Sequence, residues 1–144
     1  MTIINKSALI PYSADKMYDL VVDVNRYHEF LPWCSQSSVL SHTENMLEGK
    51  ITVDHSVFKK SFVTRNTLIK DQKIEMKLQK GPFKQLNGAW EFTILDKDCS
   101  KISLNLEFEF SNKLLSMALG PVFSQIANSM VDSFCQRAVS IYNE

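Results

Sequence analysis

The sequence predicts a two-layer α+β sandwich, a curled antiparallel sheet with one long helix on its apolar face. Three observations carry this. Residues 101–110 set Ile102, Leu104, Leu106, Phe108 and Phe110 against Ser103, Asn105, Glu107 and Glu109. Alternation of period two over that length marks a strand with one buried and one wet face. Residues 112–142 repeat Leu119, Val122, Phe123, Ile126, Ala127, Met130, Phe134, Ala138 and Ile141 at gaps of mostly three and four, which gathers them on one face of a helix. Before that helix, strand signals follow one another through short turns, the mark of an antiparallel meander. A meander with one apolar face and one amphipathic helix packs as two layers.

The elements follow in order. Residues 2–10 read as a strand through Ile3, Ile4, Ala8, Leu9 and Ile10, and Pro11 stops it. Ser13 is placed to cap a helix that runs to about Val24, with Asp15 near the positive end of its dipole. A helical turn over 25–30 precedes Leu31-Pro32-Trp33-Cys34. Strands are then expected at 36–41, 46–58, 60–69 and 73–79, the last two joined by a tight turn at Asp71-Gln72. Gly81-Pro82 opens an irregular loop over 80–88, and strands follow at 88–95 and 101–110. That makes about seven strands, with two short helices after the first. A sheet of this size twists and curls. Gly120-Pro121 is expected to break or kink the long helix. No repeat, low-complexity tract or linker interrupts the chain, so residues 1–144 are expected to form a single domain.

Composition narrows the function. Sixteen basic and sixteen acidic side chains leave no net charge, so nothing in the balance points to DNA. The distribution is uneven: residues 59–84 hold eight basic residues against Asp71 and Glu75. Such lysines either populate the wet face of strands or form a surface for RNA or anionic headgroups. Cys34, Cys99 and Cys135 are odd in number and far apart, which fits reduced thiols. Cysteines and histidines show no metal-ligand spacing, so no metal is expected. No apolar run approaches the roughly 20 residues of a membrane span, and the N-terminus shows neither a signal h-region nor an Arg-rich transit segment. A cytoplasmic location is expected, with peripheral contact at the inner membrane as an extension.

Four features invite a chemical reading. Trp90, Phe92, Phe108, Phe110, Phe123, Met130 and Phe134 fall on inward positions, and they either fill a core or line an apolar cavity under the helix. Phe83 and Leu86 stand in the loop 80–88 between lysines, as a lid, a membrane contact or a part of the core edge. Trp33 beside Pro32 is a cavity rim or a plug. Cys34 or one of His28, His42 and His55 would serve catalysis only if brought together in space, because no spacing pairs a nucleophile with a base. No catalytic residue is assigned.

Several segments, taken together, carry a family resemblance. They are Pro11-Tyr12-Ser13-Ala14, Met17-Tyr18-Asp19-Leu20-Val21, Phe30-Leu31-Pro32, Thr64-Arg65-Asn66, Gly81-Pro82-Phe83-Lys84, Trp90-Glu91-Phe92, Phe108-Glu109-Phe110 and Gly120-Pro121-Val122-Phe123. The chain resembles the START-like family of coenzyme Q-binding proteins and ribosome association toxins along essentially its whole length, and resembles its bacterial branch. The resemblance implies the helix-grip fold and a hydrophobic tunnel between sheet and helix. It implies non-enzymatic binding of ubiquinone or a related polyprenyl lipid, supporting respiratory electron transfer, with no required cofactor beyond that ligand. The alternative it implies is binding of the large ribosomal subunit and a block of subunit joining. On the first reading the ligand lies along Trp33, Phe83, Trp90, Phe92, Phe108, Phe110, Phe123, Ile126, Met130 and Phe134, with Arg65 and Asn66 near its head. On the second, Lys59, Lys60, Lys77, Lys80 and Lys84 contact rRNA phosphates or lipid headgroups. A transient membrane-surface contact goes with either.

Overall fold

A computed structural model describes residues 1–55 and 58–142. The chain runs β1 (Thr2–Ile10), α1 (Ala14–Val22), a 3-10 helix (Val24–Glu29), β2 (Cys34–His42), β3 (Met46–His55), β4 (Phe58–Ile69), β5 (Lys73–Lys80), β6 (Phe83–Asp96), β7 (Cys99–Phe110) and α2 (Lys113–Tyr142). The seven strands form one antiparallel sheet in the order β1-β7-β6-β5-β4-β3-β2. β2 to β7 are the expected meander. β1 closes against β7, so α1 and the 3-10 helix carry the chain from one edge of the sheet to the other. The strand expected to end at 58 ends at His55, and residues 56–57 lie outside the described ones.

The alternation in β7 sets the layer. Ile102, Leu104, Leu106, Phe108 and Phe110 are buried under the helices, whereas Lys101, Asn105 and Glu107 are exposed. Two core clusters result. One joins Met17, Tyr18 and Val21 of α1, Tyr27 of the 3-10 helix and Trp90 to Phe134 and Ala138 of α2. The other joins Ile4, Phe83, Leu86, Phe108 and Phe110 to Leu119, Phe123 and Ala127.

Two expectations are corrected here. The stretch 80–88 is not a loop. Only Gly81 and Pro82 form the turn, and β6 begins at Phe83. Phe83 and Leu86 are buried in the second cluster, so neither forms a lid or touches a membrane. Gly88 is a strand residue because the neighbouring backbone leaves no room: a Cβ there would lie 2.1 Å from the Asn105 carbonyl oxygen. The second correction concerns the break expected at Gly120-Pro121: α2 is one continuous helix through Pro121. Proline removes one helical hydrogen bond but fits helical φ, and Leu119 and Phe123, both buried, hold the chain on either side of it.

The C-terminal half of α2 is firmly held. Arg137 Nη2 sits 2.8 Å from Glu29 Oε1 and its guanidinium stacks over Phe30. The Tyr142 hydroxyl donates to the Lys16 carbonyl at 2.9 Å.

Candidate functional site

Where the two core clusters meet they leave a cavity of about 70 Å³. Its floor is the sheet: Gly49 and Ile51 of β3, Phe62, Thr64 and Asn66 of β4, Met76 of β5, Leu86 and Trp90 of β6, Leu104 and Leu106 of β7. Its roof is Phe123, Ile126, Ala127 and Met130 of α2, and Val24, Tyr27 and Trp33 close one end. The volume accommodates a few water-sized groups, well below the roughly 300 Å³ at which ligand pockets usually begin.

The lining is apolar apart from a few groups. The Thr64 hydroxyl donates to Asn66 Oδ1 at 3.0 Å, both side chains being buried. The Tyr27 hydroxyl donates to the Val21 carbonyl. Trp33 Nε1 is buried with no hydrogen-bond partner among the described residues. Trp33 also walls a surface cleft formed by Pro32, Asp54, His55, Val122, Gln125 and Ser129. Its indole is therefore the partition between cavity and solvent, part rim and part plug.

Of the apolar residues proposed for a ligand, Trp33, Trp90, Phe123, Ile126 and Met130 line this cavity. The others lie outside this cavity. Phe83, Phe108 and Phe110 pack with Phe123 in the second cluster, Phe83 and Phe110 stacked at 4.7 Å. Phe92 meets Tyr18 of α1 edge-on at 5.7 Å. Phe134 is fully buried between Tyr27, Phe30 and Trp90. Asn66 faces the cavity, but Arg65 does not. Successive strand residues point to opposite faces, and Arg65 lies outside against Met46. Thr64, Met76 and Tyr27 were missed. Thr64 shares the parity of Phe62 and Asn66, so alternation in β4 was the signal that locates it.

The lysines divide as well. On the outer face of the sheet Arg65 stands directly opposite Lys77, and Val63 stands between Lys50 and Lys80. Lys59 continues the outer parity of Arg65, with Asp54 across from it and Glu48 across from Arg65. Among the described residues none of Lys50, Lys59, Arg65, Lys77 and Lys80 is in an ion pair. Like charges placed directly opposite destabilise a sheet, so Arg65 and Lys77 repel across the ladder, with Glu48 on the other side of Arg65 offsetting part of it. Lys60 has the inner parity, exposed at the open end of β4, and Lys84 lies 3.9 Å from Glu109 near the start of α2. Lys60 is therefore not part of the outer patch.

Cys34 and His28 are not brought into contact with each other. Cys34 is buried, its Sγ donates to the Gln36 carbonyl at 3.3 Å, and burial pushes the thiol pKa up. A nucleophilic thiolate needs the opposite shift. His28 Nδ1 contacts Ser37 Oγ at 3.2 Å instead of a sulfur.

Burial, with Asp23 second, holds Tyr27 un-ionised far above the ordinary tyrosine value of 10.0. The unfolded chain releases that proton near 10, so stability from this group is present below pH 10 and is lost as pH rises beyond it. Tyr27→Phe is expected to lower neutral-pH stability by about 1 kcal/mol through the lost hydrogen bond. It is also expected to flatten the alkaline decline. Urea midpoints measured at neutral pH and above pH 10.0 check both signs.

Comparison with known proteins places the chain. Residues 10–135 match the family model for polyketide cyclase/dehydrase and lipid transport proteins. The ribosome association toxin RatA of Pseudomonas aeruginosa is 48% identical over 141 residues, covering 98% of each chain. The mitochondrial coenzyme Q-binding protein COQ10 homolog B of Xenopus laevis is 27% identical over 142 residues, covering 96% of this chain and 58% of that one. The crystal structure of the ZhuI aromatase/cyclase from a Streptomyces species superposes with a TM-score of 0.84 over 99% of this chain and 98% of that one, at 14% identity. That similarity speaks for the fold, the helix-grip arrangement of a curved sheet around a long C-terminal helix. The chain belongs to the polyketide cyclase/dehydrase and lipid transport family, with the ribosome association toxins as its high-identity relatives and the coenzyme Q-binding proteins as distant ones.

Proposed function

We propose that this protein binds the large ribosomal subunit in the cytoplasm and hinders subunit joining, as a binding module and not as an enzyme. The observation that carries the reading is the outer sheet face, where Arg65 and Lys77 oppose each other and Lys50, Lys59 and Lys80 extend the patch. A phosphate backbone relieves the like-charge repulsion that the fold otherwise bears. The 48% identical relative is a ribosome association toxin, which supports a ribosomal partner. Purified ribosomes on sucrose gradients test it. Added protein is expected to raise the ratio of free subunits to monosomes, and an unchanged ratio counts against the reading.

A second reading has its own observation, Trp33 Nε1 at the edge of an apolar cavity with no hydrogen-bond partner among the described residues. A buried donor without a partner is costly, and a ligand carbonyl would satisfy it. Ubiquinone or a related polyprenyl lipid, bound in support of respiratory electron transfer, is the ligand class expected from the family resemblance. The free space of about 70 Å³ holds at most part of such a head group, and the tail requires α2 to move off the sheet. Solvent extraction of purified protein followed by mass spectrometry tests this reading. Recovery of a stoichiometric quinone or lipid supports it; an empty extract, with no chemical-shift change on adding a short-tailed ubiquinone, opposes it.

A further inference from the structure

We propose that the exposed start of α2, Leu114 and Met117 beside Lys113, docks the protein on an anionic lipid bilayer. Leu114 is 77% exposed and Met117 70%. They lie three residues apart on one helical face, continued by the exposed Ala118 and Pro121. Met1, 63% exposed, lies across a shallow depression that Lys84 and Lys113 also border. The most apolar 18-residue window of α2 reaches a mean hydropathy of 1.3, yet only 28% of it is buried. From Leu114 to Val131 the helix carries no ionisable side chain. A surface helix normally places charges on its solvent face. Here the outward face at this end is apolar instead.

The charges nearby select the occupant. The first turn of α2 holds Lys113 and no acid, which runs against the helix dipole. Lys113 and Lys84 border the depression, with Glu109 the acid facing them at 3.9 Å from Lys84. Apolar side chains beside a cationic first turn match a bilayer with anionic headgroups, where acyl chains take the Leu and Met and phosphates meet Lys113. Arg65 and Lys77 lie on the sheet and not on this helix, so this docking does not depend on the ribosome reading.

Flotation with vesicles tests the proposal. The full chain is expected to float with phosphatidylcholine vesicles containing phosphatidylglycerol, to stay behind with phosphatidylcholine alone, and to be released by high salt. Leu114→Ser with Met117→Ser is expected to weaken partitioning about tenfold or more, and Lys113→Glu to weaken it in anionic vesicles. All three positions are exposed, and thermal melts confirm that the variants fold. Arg65→Glu with Lys77→Glu is expected to float like the wild type. The proposal is overturned by absence of flotation with phosphatidylglycerol vesicles, or by a Leu114→Ser, Met117→Ser variant that floats unchanged. It is equally overturned if light scattering finds a dimer that this variant converts to monomer, since a second copy then covers the face.

Discussion

Gly88→Ala is expected to destabilise the protein by about 3 kcal/mol or more, a large share of the roughly 5–15 kcal/mol that holds a domain folded. The reason is backbone. The new Cβ would lie 2.1 Å from the Asn105 carbonyl oxygen and 2.9 Å from the Leu106 Cα, and no rotamer change relieves a clash with main chain. β6 and β7 would have to separate where Gly88 pairs with Leu106, in the middle of the sheet that carries α2. A urea denaturation curve checks this. A midpoint near the wild-type value would mean that the strands part more easily than their geometry implies.

Phe134→Ala is expected to cost about 3–5 kcal/mol. Phe134 is fully buried, with ring centroids 5.1 Å from Phe30, 5.2 Å from Trp90 and 5.3 Å from Tyr27, all edge-on. It joins α2 to the 3-10 helix and to the middle of β6, so its removal loosens the half of α2 that Arg137 and Tyr142 anchor. The lost volume lies beside Tyr27 and Trp90, which already border the cavity, so collapse is difficult and the value belongs at the upper end. Phe134→Leu is expected to lose less than half as much. Equilibrium unfolding by near- and far-ultraviolet circular dichroism measures both, and a loss below about 1.5 kcal/mol for Phe134→Ala would contradict the role given to this ring.

The sheet was legible because its strands alternate. In β7 the inward set from Ile102 to Phe110 is unbroken, and the observed burial follows it residue by residue. The start of β6 was not legible. Gly81, Pro82 and Gly88 look like loop punctuation, but Gly88 answers to the backbone of β7 across the ladder, a constraint that no local window contains. The long helix was legible from its spacing, whereas its passage through Pro121 depends on Leu119 and Phe123 being held by the sheet. Within the cavity, parity separates Asn66 from Arg65, but not Leu106 from Phe108. Those two share a face of β7, and only their position along the strand decides which borders the void. The basic stretch 59–84 was visible as a charge count. That Arg65 meets Lys77 while Lys84 meets Glu109 follows from register, which the sequence sets only through its pairing.

The most direct measurement is co-sedimentation of the protein with isolated large and small ribosomal subunits, for wild type and for Arg65→Glu with Lys77→Glu, at low and at fourfold higher salt. The expected result is wild-type binding to the large subunit that weakens about a hundredfold or more over that salt range, as for roughly five phosphate contacts, and loss of binding in the reversed variant with its thermal stability retained. Binding that survives both the charge reversal and the salt, or no binding to the large subunit at all, would contradict the assignment of the outer sheet face to ribosomal RNA.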